Sequence, residues 1–365
     1  MDPAGVGTAA DELAVDVLIA NYNYAAYLGD AIESALAQTH SRIRTIVVDD
    51  GSTDGSRDVL DRYSGRVEAV LKENGGQGSA LNAGLERCTG DVVMLLDSDD
   101  VLKPDAAGIV AAAFAAEPHA VKVQFRMDVI DASSRPTGEV HPAGHIPMPS
   151  GDVRRAELSF PFDLLWMATS GNAFRRAALR RIVPLPEPDY RVCADWYLVH
   201  MAALLGPVVS LDHVGSSRRL HGDNLYEPQS PEVDLGHVRE NIRLAAATTA
   251  HLEKLADDLG LERPRSILSL ADLANRMISL RLAPGTHPVP GDERSSLLRA
   301  AVRAARRRFD FRLPKKLIAV GWFAAMAVAP RGLARRLAEL FLFPQLRRPM
   351  NSLLGRLQET RSLSK

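Results

Sequence analysis

Two acidic segments in the first hundred residues have the residue types and spacing for ligand chemistry. The first is Asp49-Asp50, which follows an apolar run and leads into a turn of Gly, Ser and Thr residues. A carboxylate fixed at the end of a strand is a rigid hydrogen-bond acceptor, so either residue could take an amide or imide proton from a nucleotide base. In the alternative interpretation, Asp50 and Ser52 only cap the turn and the helix that follows.

The second acidic segment is Asp97-Ser98-Asp99, which ends another apolar run. Alternate carboxylates at a strand exit can bring two hard oxygen ligands near one cation that also binds phosphate oxygens. Mg²⁺ and Mn²⁺ suit such a set, because carboxylate, phosphate and water are the ligands they prefer and no soft ligand is nearby. A helix-capping acidic loop before Lys103-Pro104 is the alternative.

Both acidic segments need a scaffold, and the chain before residue 105 alternates strand-like and helix-like stretches. Short apolar runs predict strands, and apolar residues three or four apart predict helices. The predicted strands are residues 15–20, 45–48, 67–71 and 91–96, with helices at residues 27–38 and 78–88 and a third ending at residue 63. This alternation predicts a mainly parallel α/β sheet with helices on both faces. Ligands of such sheets bind at the carboxyl ends of the strands, where both acidic segments fall.

The later part of the chain loses this alternation. Residues 120–151 contain Pro, Gly and His interruptions and predict a strand followed by a long loop, whereas the chain beyond residue 234 is helical in pattern almost throughout. We therefore predict a leader at residues 1–14, an α/β domain at residues 15–230 and a helical region at residues 231–365.

Charge is distributed unevenly along the chain. The formal net charge is −1, but the chain from Arg299 onward carries sixteen Lys/Arg against three Asp/Glu, which leaves about −14 for the part before it. A basic helical tail favours an anionic partner. Anionic lipid is the better prediction and nucleic acid is not expected, because the sequence shows neither zinc-finger spacing nor a basic patch interleaved with aromatics.

The tail contains an apolar run at residues 317–329, which is shorter than the roughly 20 residues that a membrane-spanning helix needs. It could lie in a membrane interface, or it could form a helical hairpin that packs on the catalytic domain or in a homodimer. Two cysteines, Cys88 and Cys193, and an N-terminus without a secretory pattern predict a cytoplasmic protein. Peripheral contact with the inner face of the cell membrane is the predicted location.

Four segments in order resemble the family 2 glycosyltransferases with the GT-A fold. They are residues 18–23 (LIANYN), 47–54 (VVDDGSTD), 74–84 (NGGQGSALNAG) and 95–100 (LLDSDD). Any one of them alone would be a weak signal, but four at family-like spacing are specific. The resemblance covers about residues 15–225 and implies a GT-A, Rossmann-like catalytic domain with a helical C-terminal region. Within the domain it implies a donor-binding half at residues 15–105 and an acceptor half at residues 106–230. The Gly-rich segment lacks the Gly-Lys-Ser/Thr ending of a P-loop, and no dinucleotide-binding glycine pattern follows the first strand.

The resemblance implies a donor site and a metal site in the first half of the domain. The implied donor-binding residues are Ala20, Tyr22, Asp49, Asp50, Asn74, Asn82, Asp97 and Ser98. Asp99 is the implied ligand of Mn²⁺ or Mg²⁺, and His221 could complete the metal or diphosphate site. From the residues alone, Asn82 could equally be a helix contact and His221 an ordinary loop histidine.

In the acceptor half, family members carry an acidic residue, often in a Glu-Asp pair, that deprotonates the acceptor hydroxyl. Here Asp195 matches the Asp, but Ala194 stands where the Glu would be. Shielding by Trp196 could raise the pKa of Asp195 toward that of a useful base, and the alternative is a simple helix cap. The implied acceptor-side residues are Ser170, Gly171, Asn172 and Trp196, although residues 169–172 could also be a plain turn.

These observations predict an inverting, metal-dependent glycosyltransferase with a nucleotide-sugar donor and a glycan, lipid-linked or other hydroxyl acceptor. A uridine diphosphate sugar is favoured, because Asp50 could accept the imide proton of uracil. The alternative is a noncatalytic nucleotide-sugar sensor or assembly protein that keeps the same fold.

Overall fold

The computed structural model describes residues 9–222, residue 224 and residues 232–343. The chain divides into two compact units, Met1–Asn224 with Ala247–Pro264 and Leu225–Ala246 with Arg265–Lys365. The predicted domain limits stay a prediction. Residues 247–264, which the sequence pattern assigned to the C-terminal region, belong to the first unit.

The first unit is built on a nine-stranded mixed sheet. Its strands are β1 (Val15–Asn21), β2 (Ile43–Asp50), β3 (Glu68–Lys72), β4 (Val92–Asp97), β5 (Val101–Leu102), β6 (Lys122–Asp131), β7 (Pro136–His141), β8 (Asn172–Arg175) and β9 (Val208–Leu220). The order is β3-β2-β1-β4-β8-β6-β9-β5, with β7 paired to β6. The first four strands in this order are parallel, and β8 runs antiparallel to both β4 and β6. The predicted α/β fold with a mainly parallel donor half is confirmed.

Strand register brings the two acidic segments to the same edge of the sheet. Asn21 lies opposite Asp49 in the β1–β2 ladder, and Ala20 lies opposite Asp97 in the β1–β4 ladder. Because these strands are parallel, their carboxyl ends meet at one edge, as the sequence pattern predicts.

Helices cover this sheet on both faces: α1 (Ala25–Leu36), α2 (Ser56–Asp61), α3 (Gln77–Arg87) and α4 (Ala106–Ala116). On one face Val17 and Ile19 pack with buried side chains of α1 and α4 in a single core. On the other face α3 comes so close that a Cβ at Gly84 would lie 2.2 Å from Leu18 Cδ1. This close approach explains why glycine occupies that position of the helix.

The acceptor half differs from the prediction between residues 120 and 151. A β-hairpin of β6 and β7 occupies much of the predicted loop. Its turn is set by Asp131, whose carboxylate accepts from the amides of Ser133 and Arg135, and by Ser134 at φ 62°. Because β7 is exposed along its whole length, it carries no hydrophobic alternation that would reveal a strand. The remaining helices of this half are α5 (Arg154–Ser159), α6 (Arg176–Leu179) and α7 (Ala194–Leu205).

The second unit contains helices α9 (Leu270–Leu282), α10 (Arg294–Arg307), α11 (Leu313–Val328) and α12 (Arg331–Leu342), together with the first part of α8 (Leu235–Asp258). These helices share one apolar core that includes Met277, Ala301, Phe323 and Met326. Across the described helices we find no stretch with the length and hydropathy that a bilayer span requires.

Candidate active site

Asp49 ties together the loops that follow β1 and β2. Its buried carboxylate accepts hydrogen bonds from Asn21 Nδ2 at 3.0 Å, the Ser52 amide at 3.2 Å and Arg57 Nε at 3.3 Å. The Ser52 hydroxyl in turn accepts from the Asn23 amide at 2.9 Å. Asp49 is therefore buried beneath the donor edge and shapes its loops, and its predicted contact with a nucleotide stays a prediction that this burial does not support.

Asp50 fastens the Gly-rich loop that follows β3. Its carboxylate accepts from Lys72 Nζ at 2.7 Å, Asn74 Nδ2 at 3.1 Å and the amides of Gly75 and Gly76 at 2.9 and 2.7 Å. A carboxylate has about four lone-pair sites, and all are engaged here. The predicted hydrogen bond from a uracil imide to Asp50 is therefore not available in this conformation, because the loop amides already occupy the acceptor.

An open cleft of about 560 Å³ lies beside this loop. It is lined by Gly51, Ser52, Thr53, Arg57, Leu71, Lys72, Glu73 and Asn74. Tyr22 is 45% exposed and Leu71 is 56% exposed, so both offer apolar surface that a base could stack against. Of the predicted donor residues, Asn74 lines this cleft and Tyr22 lies in the adjoining loop.

Asn82 does not belong to this cleft. It is buried on α3, where its side-chain amide donates to the Leu185 carbonyl and to Glu187 Oε1, both at 3.0 Å, and its oxygen accepts from the Leu185 amide at 2.7 Å. These contacts favour the alternative that Asn82 is a helix contact, and its predicted donor-binding role stays a prediction. Its amide locks a distant segment of the chain onto α3.

At the end of β4 the structure forms the acidic cluster, which comprises Asp97, Asp99 and Asp100. One carboxylate oxygen of each lies within 4.8 Å of the others. Burial and the charges of Asp100 and Asp99 raise the pKa of Asp97 well above its ordinary value. Burial and the charge of Asp99 raise the pKa of Asp100 to about 7. Three hard oxygen donors with unrelieved repulsion fit Mg²⁺ or Mn²⁺, because a divalent cation would neutralise them. Asp100 was not among the predicted site residues.

The acidic cluster predicts a pH-dependent stability difference between the protein and its Asp97→Asn variant. A raised pKa means that the folded protein holds a proton that the unfolded chain releases above about pH 4, so the wild type loses stability as the pH rises from there. In metal-free buffer at pH 7.5 we expect Asp97→Asn to be more stable by about 1 kcal/mol or more. This difference in the free energy of unfolding should become smaller as the pH is lowered toward 4.

Urea unfolding of both proteins in chelator, repeated at several pH values, measures this difference. Added Mn²⁺ should reverse the order by stabilising only the wild type. A wild type that is equally or more stable than Asp97→Asn in metal-free buffer at every pH would contradict the repulsion that we infer.

His221 lies at the acidic cluster, as its predicted metal role requires. Its Nε2 is 2.9 Å from Asp99 Oδ2, and its ring stacks on Tyr27 with centroids 4.8 Å apart. Arg219, two residues before it and on β9, donates from its amide to Asp100 at 2.9 Å and from Nε to the Asp99 carbonyl at 2.7 Å. The end of β9 therefore fixes the orientation of the acidic cluster. Arg219 was missed because its role depends on a strand pairing that the sequence pattern does not reveal.

The segment predicted to face the acceptor instead supports the acidic cluster. Ser170, Gly171 and Asn172 are all buried. Ser170 Oγ accepts from the Asp97 amide at 2.9 Å, and Asn172 Nδ2 donates to the carbonyls of Met167 and Ala168 at 2.9 and 2.7 Å. These three residues have almost no accessible surface, so their predicted acceptor contacts stay predictions that this burial does not support. Ser98, at 3% exposure, is likewise a buried residue of the donor edge.

Asp195 lies in the first turn of α7 and comes close to the acidic cluster through Thr169. Thr169 lies beside both carboxylates, with its amide toward Asp195 and its hydroxyl toward Asp97. Burial raises the pKa of Asp195, and the charge of Asp195 in turn raises the pKa of Asp97. The N-cap of α7 is Cys193 at φ 55°, so Asp195 lies inside the first turn of the helix and not at the cap position.

The loop that leads into α7 is joined to the Gly-rich loop held by Asp50. Gln77 accepts from the Ala194 amide at 2.9 Å through its side chain and donates its own amide to the Arg191 carbonyl at 2.8 Å. At Gly76 a Cβ would lie 2.5 Å from that same carbonyl. The chain before Asp195 therefore depends on the donor-side loop for its position.

Behind Asp195 lies a buried ionic network that the sequence pattern did not predict. Glu157 and His200 are joined by a 2.5 Å contact, and Trp166 Nε1 donates to Glu157 at 3.2 Å. Lys122, which is fully buried, donates to Gln124 at 2.8 Å and lies 4.2 Å from the Trp166 ring centroid. Burial lowers the pKa of Lys122 far below its ordinary value, while Glu157 and Asp195 oppose that shift.

Trp196 borders this network on the accessible side. Its ring stacks on Phe162 with centroids 5.4 Å apart and meets His200 edge-on at 5.8 Å. Trp196 is half-buried, so it keeps some accessible surface next to Asp195. Its predicted acceptor role therefore stays a prediction that the geometry allows.

Glu157→Ala should destabilise the protein by about 3–5 kcal/mol, because it leaves His200, Lys122 and the Trp166 N–H without their buried partner. The measurement is the free energy of urea unfolding. Glu139→Ala on the exposed strand β7 is the matched control, for which we expect a change of about 0.5 kcal/mol or less. A similar small effect at Glu157 would show that the network contributes little.

A parallel α/β half whose strand ends carry an acidic cluster, with a buried carboxylate supplied by a second half, defines a GT-A glycosyltransferase domain. Residues 16–183 match the family described as "Glycosyl transferase family 2". An uncharacterized glycosyltransferase of Nostoc sp. is 37% identical over 214 residues, which cover 58% of this chain and 66% of that protein. The putative teichuronic acid biosynthesis glycosyltransferase TuaG of Bacillus subtilis is 44% identical over 95 residues, which cover 25% of this chain and 38% of TuaG.

Among solved structures, S. aureus TarS superposes with a TM-score of 0.51 at 16% identity, covering 86% of this chain and 53% of TarS. This likeness concerns the fold alone. Through residues 16–183 the chain belongs to glycosyl transferase family 2. The predicted family and the predicted fold are both confirmed.

Proposed function

We propose that the chain transfers a sugar from a nucleoside diphosphate sugar to an acceptor hydroxyl, with inversion at the anomeric carbon. The observation that carries this proposal is that Asp195 lies close enough to the acidic cluster for its charge to raise the pKa of Asp97, with Thr169 beside both carboxylates. A site fit for a cation and diphosphate therefore lies next to a carboxylate whose pKa is raised by burial. Sugar transfer needs a cation that stabilises the departing diphosphate and a nearby base that accepts the proton of the acceptor hydroxyl.

In the proposed reaction Asp195 accepts the proton of the acceptor hydroxyl. The hydroxyl oxygen forms its bond to the anomeric carbon on the face opposite the diphosphate. The bond from that carbon to the diphosphate oxygen breaks, and the nucleoside diphosphate leaves with the electron pair. Attack from the opposite face inverts the configuration at this carbon. Burial beside the acidic cluster raises the pKa of Asp195 and so makes it a stronger base than an exposed aspartate.

Asp97 and Asp99 would hold the Mn²⁺ or Mg²⁺ ion, with His221 fixing Asp99 or joining it as a ligand. When bound, such an ion neutralises the negative charge that develops on the departing diphosphate. The chain's own contribution is the position of these carboxylates, which Ser170 and Arg219 hold in place.

The donor base is the least specified part of this proposal. Uridine was favoured through Asp50, whose acceptor positions are engaged by the Gly-rich loop. The cleft beside Asn74, with Tyr22 in the adjoining loop, supports a stacked base without selecting one. A glycan or lipid-linked acceptor stays a prediction. A cytoplasmic location, with peripheral contact at the inner face of the cell membrane, also stays a prediction.

Release of nucleoside diphosphate from a panel of nucleotide sugars, with Mn²⁺ or with chelator, tests the proposed function. We expect turnover with at least one donor, and only when metal is present. A donor that binds tightly, raises the melting temperature and is never turned over, with or without hydroxyl acceptors, would favour the noncatalytic sensor instead.

A further inference from the structure

Exposed apolar side chains concentrate at one place in the described chain. Between residues 309 and 333 the large exposed hydrophobic residues are Phe309, Leu313, Leu317, Ile318, Val328 and Leu333. The rest of the described chain has four: Tyr22, Leu71, Val140 and Ile146. Leu317 is 62% exposed, Ile318 72% and Val328 82%. Exposed apolar patches of this kind mark surfaces that contact another protein, a membrane or a ligand.

Five of the exposed residues of α11 form a continuous stripe, which we call the apolar stripe. It consists of Leu313, Leu317, Gly321, Ala324 and Val328, all exposed. Spacings of three and four residues place them on one side of a helix about 24 Å long. Phe323 and Met326, which point to the other side, are buried in the core of the second unit. α11 therefore has one apolar side for packing and a second that the described chain leaves uncovered.

The charges around the apolar stripe have almost one sign. Between residues 303 and 343 the chain carries ten Lys/Arg and two Asp/Glu. Both acidic residues are already paired, Asp310 with Arg308 at 2.5 Å and Glu339 with Arg335 at 3.4 Å. Exposed basic side chains therefore lie in the same part of the chain as the stripe, among them Lys315 in the first turn of α11 and Arg336 on α12.

This charge decides between the possible occupants of the stripe. A second copy docked through the same face would bring two surfaces that are rich in Lys and Arg together. Residues 344–365 carry five Lys/Arg and one Glu, so they would also meet like charge. An anionic lipid surface suits both kinds of side chain. Its acyl chains take up the apolar side chains, and its negatively charged headgroups pair with Lys and Arg.

We propose that α11 lies in the interface of an anionic lipid bilayer. The apolar stripe is inserted among the acyl chains, and exposed basic side chains such as Lys315 and Arg336 contact the headgroups. The partner is a bilayer surface with acidic headgroups, bound peripherally. This inference does not depend on the transfer reaction, since no residue of the acidic cluster takes part.

Flotation of the full chain with vesicles, without any nucleotide sugar, tests the proposal. The vesicles are phosphatidylcholine alone or phosphatidylcholine with phosphatidylglycerol. We expect the wild type to float only with the acidic vesicles and to be released by salt. Leu317→Glu with Ile318→Glu should weaken binding by about tenfold or more, and Lys315→Gln by about fivefold. Val140→Glu, which adds one negative charge at an exposed position on β7, should bind like the wild type.

Three results would overturn the proposal: no binding to acidic vesicles, equal binding to neutral ones, or unchanged binding by the double variant. A wild-type dimer that the double variant converts to monomers, without vesicle binding, would instead assign the stripe to a second copy. Because the double variant alters only exposed side chains, its melting temperature should match that of the wild type, and Lys315→Gln gives an independent readout. Failure of sugar transfer in the donor panel would leave these binding results unaffected.

Discussion

Asp195→Asn is expected to lower kcat for sugar transfer by about a thousandfold, the scale on which a positioned general base contributes. The amide cannot accept the proton of the acceptor hydroxyl, but it has nearly the size of the carboxylate and keeps an acceptor oxygen toward the Thr169 amide. The fold and the acidic cluster should therefore survive, and donor binding should be nearly unchanged. Initial rates at saturating donor, with donor affinity measured separately by calorimetry, check both parts.

The pH profile gives this variant a second test. Burial raises the pKa of Asp195, and a base works only in its deprotonated form. Wild-type kcat/KM should therefore fall as the pH is lowered through that raised pKa, and the residual activity of Asp195→Asn should lack this fall. Asp258→Asn, at an exposed position at the end of α8, is the matched control and should behave as the wild type. An Asp195→Asn enzyme with full activity would remove Asp195 from the reaction.

Asp99→Ala should reduce kcat/KM by about a thousandfold and raise the Mn²⁺ concentration needed for activity, because a metal contributes several kcal/mol of charge stabilisation at a departing diphosphate. The change removes one of three carboxylates of the acidic cluster and the partner of His221, whose Nε2 lies 2.9 Å from Asp99. Titration of Mn²⁺ against the rate measures both effects.

His221→Gln separates the two roles that its place at Asp99 allows. If His221 only orients Asp99, glutamine should keep the hydrogen bond and much of the activity; if it is a ligand, the Mn²⁺ requirement should rise as it does in Asp99→Ala. An Asp99→Ala enzyme that works at wild-type rates in chelator would exclude a metal at this cluster.

The fold could be predicted because its strongest signals are local. Apolar runs ending in Asp49-Asp50 and in Asp97 predicted strands, and parallel strands necessarily bring their carboxyl ends to one edge. The family resemblance added Asp195 and His221, which lie far along the chain. The structure places both at the acidic cluster.

The roles of single polar residues could not be predicted in the same way. Asp50, Asn82 and Asn172 have the right chemistry for a ligand, but their hydrogen bonds are taken by loop amides and carbonyls that only the folded chain brings near. The pairing of Glu157 with His200 joins residues 43 positions apart, and neither follows a motif. Residue type and spacing report what a side chain can do, whereas its tertiary partners decide whether it is available.

The central claim is that the acidic cluster holds the ion and diphosphate next to Asp195. Anomalous diffraction at the manganese edge, from crystals soaked with Mn²⁺ and a nucleoside diphosphate, tests it most directly. We predict one strong peak in contact with carboxylate oxygens of Asp97 and Asp99 and with the diphosphate. A diphosphate bound elsewhere, or a peak away from these carboxylates, would contradict it.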